Sequence, residues 1–473
     1  TLFPYTTLFR SSILDFNKSF EERTVPTDWR KANITPIFKK GKRNQACNYR
    51  PVSLTSVISK LLESIIKDTL VEHLSTHRLI KNSQHGFMSK KSCLTNLLEF
   101  LEDITKEVDE GNPVDVLYLD FQKAFDKVPH KRLVKKLEAH GINGDVLHWI
   151  EEWLTNRKQR VVINGQKSAW KPVHSGVPQG SVLGPTLFLV YINDIDDNID
   201  SKIKKFADDT KVYRNVSTKE NQVKLQKDIN TLAEWADRWQ MAFNASRCKV
   251  MHIGRTNVKT DYSMGDTVLA KCSSEKDLGV NLSDTLKAEK QCAEAAKKGN
   301  RVLSLIKRNF KFFTKDIIIR LYKQMVRPHL EYAIQAWSPY LQKDIDKLEK
   351  VQRRATKMIK DLEHLDYNSR LEQLGLTTLK KRRLRGDLIE TYKLLTGKED
   401  VCSEQFFGLV EGSITRGHSL KIKKKRSRLD VRKNFFSQRV VNDWNKLTED
   451  IVTATSTNLF KNRLDEFWEL EKR

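Results

Sequence analysis

Three aspartates sit where two strand-like runs end. Phe206-Ala207-Asp208-Asp209 lies between Lys202-Ile203-Lys204-Lys205 and Thr210-Lys211-Val212-Tyr213. This pattern predicts a tight hairpin with two carboxylates at its tip. Adjacent aspartates are by themselves common in solvated turns. A third acid, Asp120, closes the apolar run Val114-Asp115-Val116-Leu117-Tyr118-Leu119. Taken alone, Asp120 reads equally as a strand-end cap. Carboxylates at the ends of neighbouring buried strands can converge on one spot. Two or three of them, completed by phosphate oxygens and water, form a Mg²⁺ site for phosphoryl chemistry.

The surrounding elements can be read from periodicity and punctuation. Ile34-Thr35-Pro36-Ile37-Phe38 predicts a short strand, followed by the basic loop Lys39-Lys40-Gly41-Lys42-Arg43. Apolar residues at helical spacing predict helices over 55–77, over a stretch from Leu97 that closes near Gly111, over a stretch from Leu133 that stops at Gly141, and over 146–154, 182–193 and 219–240. Asn164-Gly165 predicts a hairpin turn between 159 and 170. Residues 114–121, 248–253 and 276–282 read as further strands. Past 285 the character changes to basic helical patterns over 288–310, 314–336, 342–361 and 379–396, and then the loop-like basic run 421–428.

Size and charge narrow the class. A chain of 473 residues has room for more than one domain, and 39% hydrophobic residues can support a core. The formal net charge of +25 favours a polyanionic partner. With no apolar run of about 18 residues, nucleic acid is a better fit than membrane. The 6 cysteines are scattered without zinc spacing. They are expected to be reduced thiols of an intracellular protein, nuclear or cytoplasmic, with no zinc. Residues 1–11 match a translated sequencing-library adapter, are set aside from the fold, and imply a reading frame cut off upstream.

Three motifs occur in a fixed order: Asp120-Phe121-Gln122-Lys123-Ala124-Phe125-Asp126, Ser175-Gly176-Val177-Pro178-Gln179-Gly180-Ser181, and Phe206-Ala207-Asp208-Asp209. Together they resemble the reverse transcriptase of non-LTR, LINE-like retrotransposons of the jockey type. NYRPVSL at 48–54, QHGFMSKKSC at 84–93, DLGV at 277–280 and the segment 370–395 agree with that resemblance. It implies an α+β right-hand polymerase fold, with fingers and palm over 12–285, a helical thumb over 286–361, and a mainly α, basic C-terminal region over 362–473. It implies an RNA-directed DNA polymerase with RNA template, DNA primer or target DNA, and dNTPs as partners. The implied cofactor is two Mg²⁺ ions, for which Mn²⁺ can substitute.

Carried over residue by residue, the resemblance makes Asp120, Asp208 and Asp209 catalytic. The metals would be held by Asp120, Phe121 and Asp208. Asp126 fits a helix start, or a supporting position behind the metal ligands, better. Phe125 would pack under the incoming sugar, and Gln179 and Gly180 would back the template base and nucleotide. Arg50 would grip the triphosphate, which Lys39 or Lys40 could also do. Lys249 is either a lysine facing the site or a solvated surface lysine. Lys423, Lys424, Lys425 and Arg426 form a phosphate-binding tail, a nuclear localisation signal or an idle loop. The family's upstream endonuclease is missing from the sequence, and neither a ribonuclease H carboxylate set nor a Cys/His knuckle is found. Two rival readings are an inactive nucleic-acid-binding relic and a group II intron-type or cellular reverse transcriptase.

Overall fold

A computed structural model describes residues 15–39, 41–310, 314–410 and 417–470. Residues 1–11 and Lys40 fall outside the described residues.

Two sheets organise the first 285 residues. In the first sheet, β1 (Lys31–Phe38) pairs antiparallel with β2 (Tyr49–Leu54). The second sheet is built around β3 (Val114–Leu119). The chain then returns to the first sheet as β4 (Lys158–Ile163), parallel to β1, and turns into β5 (Gln166–Lys167). Asn164 and Gly165 take φ values of +49° and +81° in that turn, the left-handed pair that a tight hairpin requires. The second sheet is completed by β6 (Lys202–Phe206), β7 (Asp209–Asn215), β8 (Lys249–Ile253) and β9 (Ala270–Lys271), in the order β9-β8-β3-β7-β6.

The strand β3 lies in the middle of this sheet and is apolar on both faces because both faces are covered. Val114 and Val116 join one core with Leu97 and Phe100. Leu117 and Leu119 join the other with Leu187, Leu225 and Ile229. The first cover is α2 (Cys93–Glu110), which follows α1 (Val57–Thr76). A Ser92–Thr95 capping box starts α2, and Gly111 in the left-handed region ends it. On the other face, α3 (His130–Ala139), α4 (Gly144–Leu154), α5 (Gly184–Ile192) and α6 (Lys219–Arg238) complete the second core. Trp149 and Trp153 stack within it, 6.4 Å apart.

The later helices are α7 (Glu289–Asn309), α8 (Gln342–Thr356) and α9 (Leu379–Leu395). Their apolar faces belong to the same core as α2, and that core continues to Leu464. Trp337, Trp444, Phe406 and Phe436 are buried in it, as expected for core aromatics rather than base-stacking platforms.

Three sequence expectations change. Residues 276–282 are not one strand. They contain the turn between β10 (Ser274–Asp277) and β11 (Val280–Ser283), with Leu278 and Gly279 at φ +43° and +89°. The pattern 314–336 is not one helix either. It has an α-helical stretch Lys315–Leu321, a π-helical turn Tyr322–Val326, and the short helices Arg327–Glu331 and Ile334–Trp337. Pro328 and a left-handed Ala333 interrupt it. The pattern 342–361 stops being α-helical at Thr356.

Candidate active site at the end of the second sheet

The strands β3 and β7 run antiparallel, with Leu119 opposite Thr210. One step further in this register, Asp120 comes opposite Asp209. In the β6–β7 hairpin Phe206 pairs with Asp209, which leaves Ala207 and Asp208 as the turn. The sheet therefore brings the three acids to one end.

The turn is held from outside. Ala207 has φ +55°, a conformation costly for a residue with a Cβ. The buried Gln84 clamps it: Oε1 accepts from the Ala207 N–H at 2.9 Å, and Nε2 reaches the Ala207 carbonyl at 3.5 Å. A Cβ at Gly86 would lie 2.3 Å from the Ala207 nitrogen, so only glycine fits there. Beneath the turn, Asn96 donates to the Lys205 carbonyl at 3.0 Å, and the His85 N–H donates to it at 2.9 Å.

The electrostatics are those of crowded carboxylates. Burial, and then the charge of Asp120, raise Asp208 above the usual carboxylate range, while Arg50 and Lys39 act the other way. Asp209 lines the cleft and stays open to solvent. Partial desolvation first, then Asp208, Asp277 and Asp120, push it up to about 6. Asp120 Oδ2 is out of solvent with no hydrogen-bond partner. Arg247 Nη1 is 3.7 Å from it. Among the described residues no three His, Cys, Asp or Glu side chains form a ligand shell of their own. An orphaned carboxylate oxygen beside two acids that repel it fits a site whose cations are completed by substrate oxygens and water.

Phe121 forms an isolated bridge with Phe243. Its two hydrogen bonds use Asp120 O and Gln122 N, which leaves the Phe121 carbonyl out of the ladder. Phe125 stacks on Phe188 at 4.4 Å and meets Phe87 edge-on at 6.5 Å. Asp126 lies in the helical turn Ala124–Lys127 and is raised by burial.

The loop 175–181 is stitched to β2 and to the turn that carries Phe125. Val177 N–H donates to Phe125 O at 2.8 Å, and Ser53 N–H donates to Gln179 O at 2.6 Å. Gly180 has φ +117°, and a Cβ there would meet Ser53 O at 2.4 Å. The buried Glu63 accepts from Val182 N–H at 2.7 Å and fixes the start of α5.

A cleft of about 300 Å³ opens beside the acids, lined by Lys39, Asp120, Asp209, Arg247, Lys249 and Asp277 among others. Lys249 pairs with Glu275 at 2.7 Å, which raises its pKa. Arg50 lies in β2 opposite Ile37 and is exposed. Lys423, Lys424, Lys425 and Arg426 are exposed and do not line this cleft.

Sequence reasoning gave no role to Gln84, Gly86, Glu63, Arg247 or Asp277. Glycine in Gln84-His85-Gly86 was the one available signal, since a glycine outside a turn often marks close backbone approach. The rest act on partners far away in sequence.

The family described as "Reverse transcriptase (RNA-dependent DNA polymerase)" matches residues 37–282, just over half of the chain. Similar curated proteins include the RNA-directed DNA polymerase from mobile element jockey of Drosophila melanogaster, 27% identical over 73% of this chain and 39% of that protein. Another is the probable RNA-directed DNA polymerase from transposon X-element of the same organism, 27% identical over 77% of this chain and 42% of that protein. The chain spans about two-fifths of the length of these relatives. Among solved structures, apo telomerase from Candida tropicalis is 12% identical over 75% of this chain and 63% of that chain, with a TM-score of 0.44. No helix among the described residues is long and apolar enough to cross a membrane. The chain belongs to the reverse transcriptase family of RNA-dependent DNA polymerases, and its curated relatives include those of jockey and other non-LTR retrotransposons.

Proposed function

We propose that this chain extends a DNA 3′ end on an RNA template, using dNTPs, as the polymerase of a non-LTR retrotransposon. The observation that carries this reading is the register of β3 and β7, which sets Asp120 opposite Asp209 and next to Asp208. Reverse transcriptases generally use divalent metal ions. Two Mg²⁺ ions, held by Asp120, the Phe121 carbonyl and Asp208, with Mn²⁺ as a substitute, would lower the pKa of the primer hydroxyl and neutralise the triphosphate and pyrophosphate.

The chain's own groups do the positioning. Asp209 adds negative charge to the site without needing to ligate. Arg50 and Lys39, whose charges reach Asp208, are placed to bind the triphosphate, and Lys249 would meet it once released from Glu275. Phe125, braced by Phe188, closes the space a 2′-hydroxyl would need. Gln179 and Gly180 support the template base through their contact with β2. We assign 12–285 to fingers and palm, 286–361 to a thumb, and 362–473 to a C-terminal region packed on the palm.

Primer extension on a primed RNA template, with and without Mg²⁺, tests the proposal. Metal-dependent synthesis is expected. Absence of synthesis by a folded chain that binds primer–template would favour the relic.

A further inference from the structure

The basic run Lys423-Lys424-Lys425-Arg426 takes no part in the cleft, yet the fold fixes its place. Before it, Ile422 bridges Leu409, and Asn445 brackets Ile422: Oδ1 accepts from its N–H and Nδ2 donates to its carbonyl, both at 2.9 Å. After it, the Asp109 carboxylate on α2 accepts from the N–H groups of Arg428 and Leu429 at 2.8 and 2.6 Å. Arg432 then pairs with the buried Glu102 at 2.5 Å. Between these anchors all four side chains are exposed. Lys424 donates to Asn442 at 3.0 Å. Among the described residues none of the four makes an ion pair with a carboxylate, although 29 Lys or Arg contacts with carboxylates occur elsewhere among them.

Two molecular rulers separate this run from the catalytic turn. Asn96 touches Lys205 below the turn, and Asp109 caps the end of the basic run. The helix between them rises about 20 Å at 1.5 Å per residue. Gly111, which packs against Arg428, leads into β3, and the strand covers about 20 Å before reaching Asp120.

We infer that Lys423, Lys424, Lys425 and Arg426 form a second phosphate-binding surface that holds a nucleic-acid segment while the polymerase cleft is filled. Only the identity of the cleft's ligand rests on the function proposed above. An extended run of four residues spans about 13 Å. One strand of a duplex presents a phosphate about every 3.4 Å of axis as it winds, so more than one phosphate falls within reach. The run has no aromatic side chain to stack on bases. Lysine acts as a point charge, so recognition is of the backbone and independent of sequence.

The test loads the full chain with a saturating RNA–DNA hairpin primer–template and then titrates a fluorescent short DNA duplex or, in a second arm, a short RNA duplex. A second binding equivalent is expected, and the two arms tell which nucleic acid the surface prefers. In the variant K423A/K424A/K425A/R426A this equivalent should weaken at least about tenfold, with a salt slope about two to four units shallower, while hairpin affinity stays unchanged. The K423R/K424R/K425R variant should keep it. The inference fails if the loaded chain takes no second duplex. It fails if the alanine variant keeps the second duplex with the same slope, which would leave a protein receptor or an idle loop. It also fails if hairpin binding weakens in step, which would put the run in the cleft. All readouts are of binding, so a catalytically dead chain would not disturb them.

Discussion

Gln84 holds Ala207 from both sides of its peptide, accepting from the N–H at 2.9 Å and reaching the carbonyl at 3.5 Å. The left-handed residue that aims Asp208 is thus kept in place by a side chain far upstream in sequence. Gln84→Leu keeps the bulk but leaves the Ala207 N–H buried without a partner, at a cost of about 1–3 kcal/mol. The variant should stay folded, with a primer-extension kcat at least about tenfold lower and primer–template Kd nearly unchanged. Equal losses in kcat and affinity would mean that Gln84 only stabilises the fold.

Asp208→Asn tests the acids directly. The exchange keeps shape and deletes the charge that metals need. Synthesis should disappear while primer–template affinity, set mainly by phosphate contacts, persists. Measurable extension by this variant, with freshly purified protein and no wild-type contamination, removes Asp208 from the metal site.

What was legible in the sequence had a local cause. Asn164-Gly165 forces its own turn, the run 114–119 reads as a strand because both faces are apolar, and the acids stand at strand ends. The β10–β11 turn carries a signal in Gly279, but the apolar Leu278 and Val280 around it read as a continuous strand, although Leu278 adopts φ +43°. Apolar spacing ran through 314–336 and masked the break at Ala333. Partners distant in sequence gave no sign at all. Lys211 is buried against Asp277, and Lys249 meets Glu275, so two lysines beside the cleft are matched by acids from a later hairpin. Arg50 was drawn from a strand by resemblance and Lys39 from a basic loop, and their influence on Asp208 needed the fold.

Glu390 on α9 gives a pH prediction. Its Oε1 is buried without a partner, and Oε2 meets Lys393 at 3.3 Å. Burial pushes its pKa up to about 7, from 4.5. The folded state therefore binds its proton more tightly than the unfolded state. This contribution to stability is fully present below about pH 4.5 and is lost as pH rises to about 7. Glu390→Gln removes the ionisation. It should match the native chain near pH 5 and exceed it by about 1–3 kcal/mol at pH 8 in urea unfolding. A deficit of the same size at both pH values would show that the Lys393 pair outweighs the desolvation.

Phe125 is stacked on Phe188 at 4.4 Å with the rings 15° apart. That bracing matters for its proposed role, because a ring that can swing away discriminates poorly. Phe125→Val removes the ring but keeps a small apolar surface. The expected outcome is a fall of at least about tenfold in the ratio of kcat/KM for a deoxynucleotide over the matching ribonucleotide. The gain should come from better ribonucleotide use rather than from loss of deoxynucleotide use. Phe188→Leu supplies the control: loosening the brace should shift the same ratio in the same direction by a smaller factor. If both variants lose stability with the ratio unchanged, the two rings serve the core alone, and sugar selection lies elsewhere in the cleft.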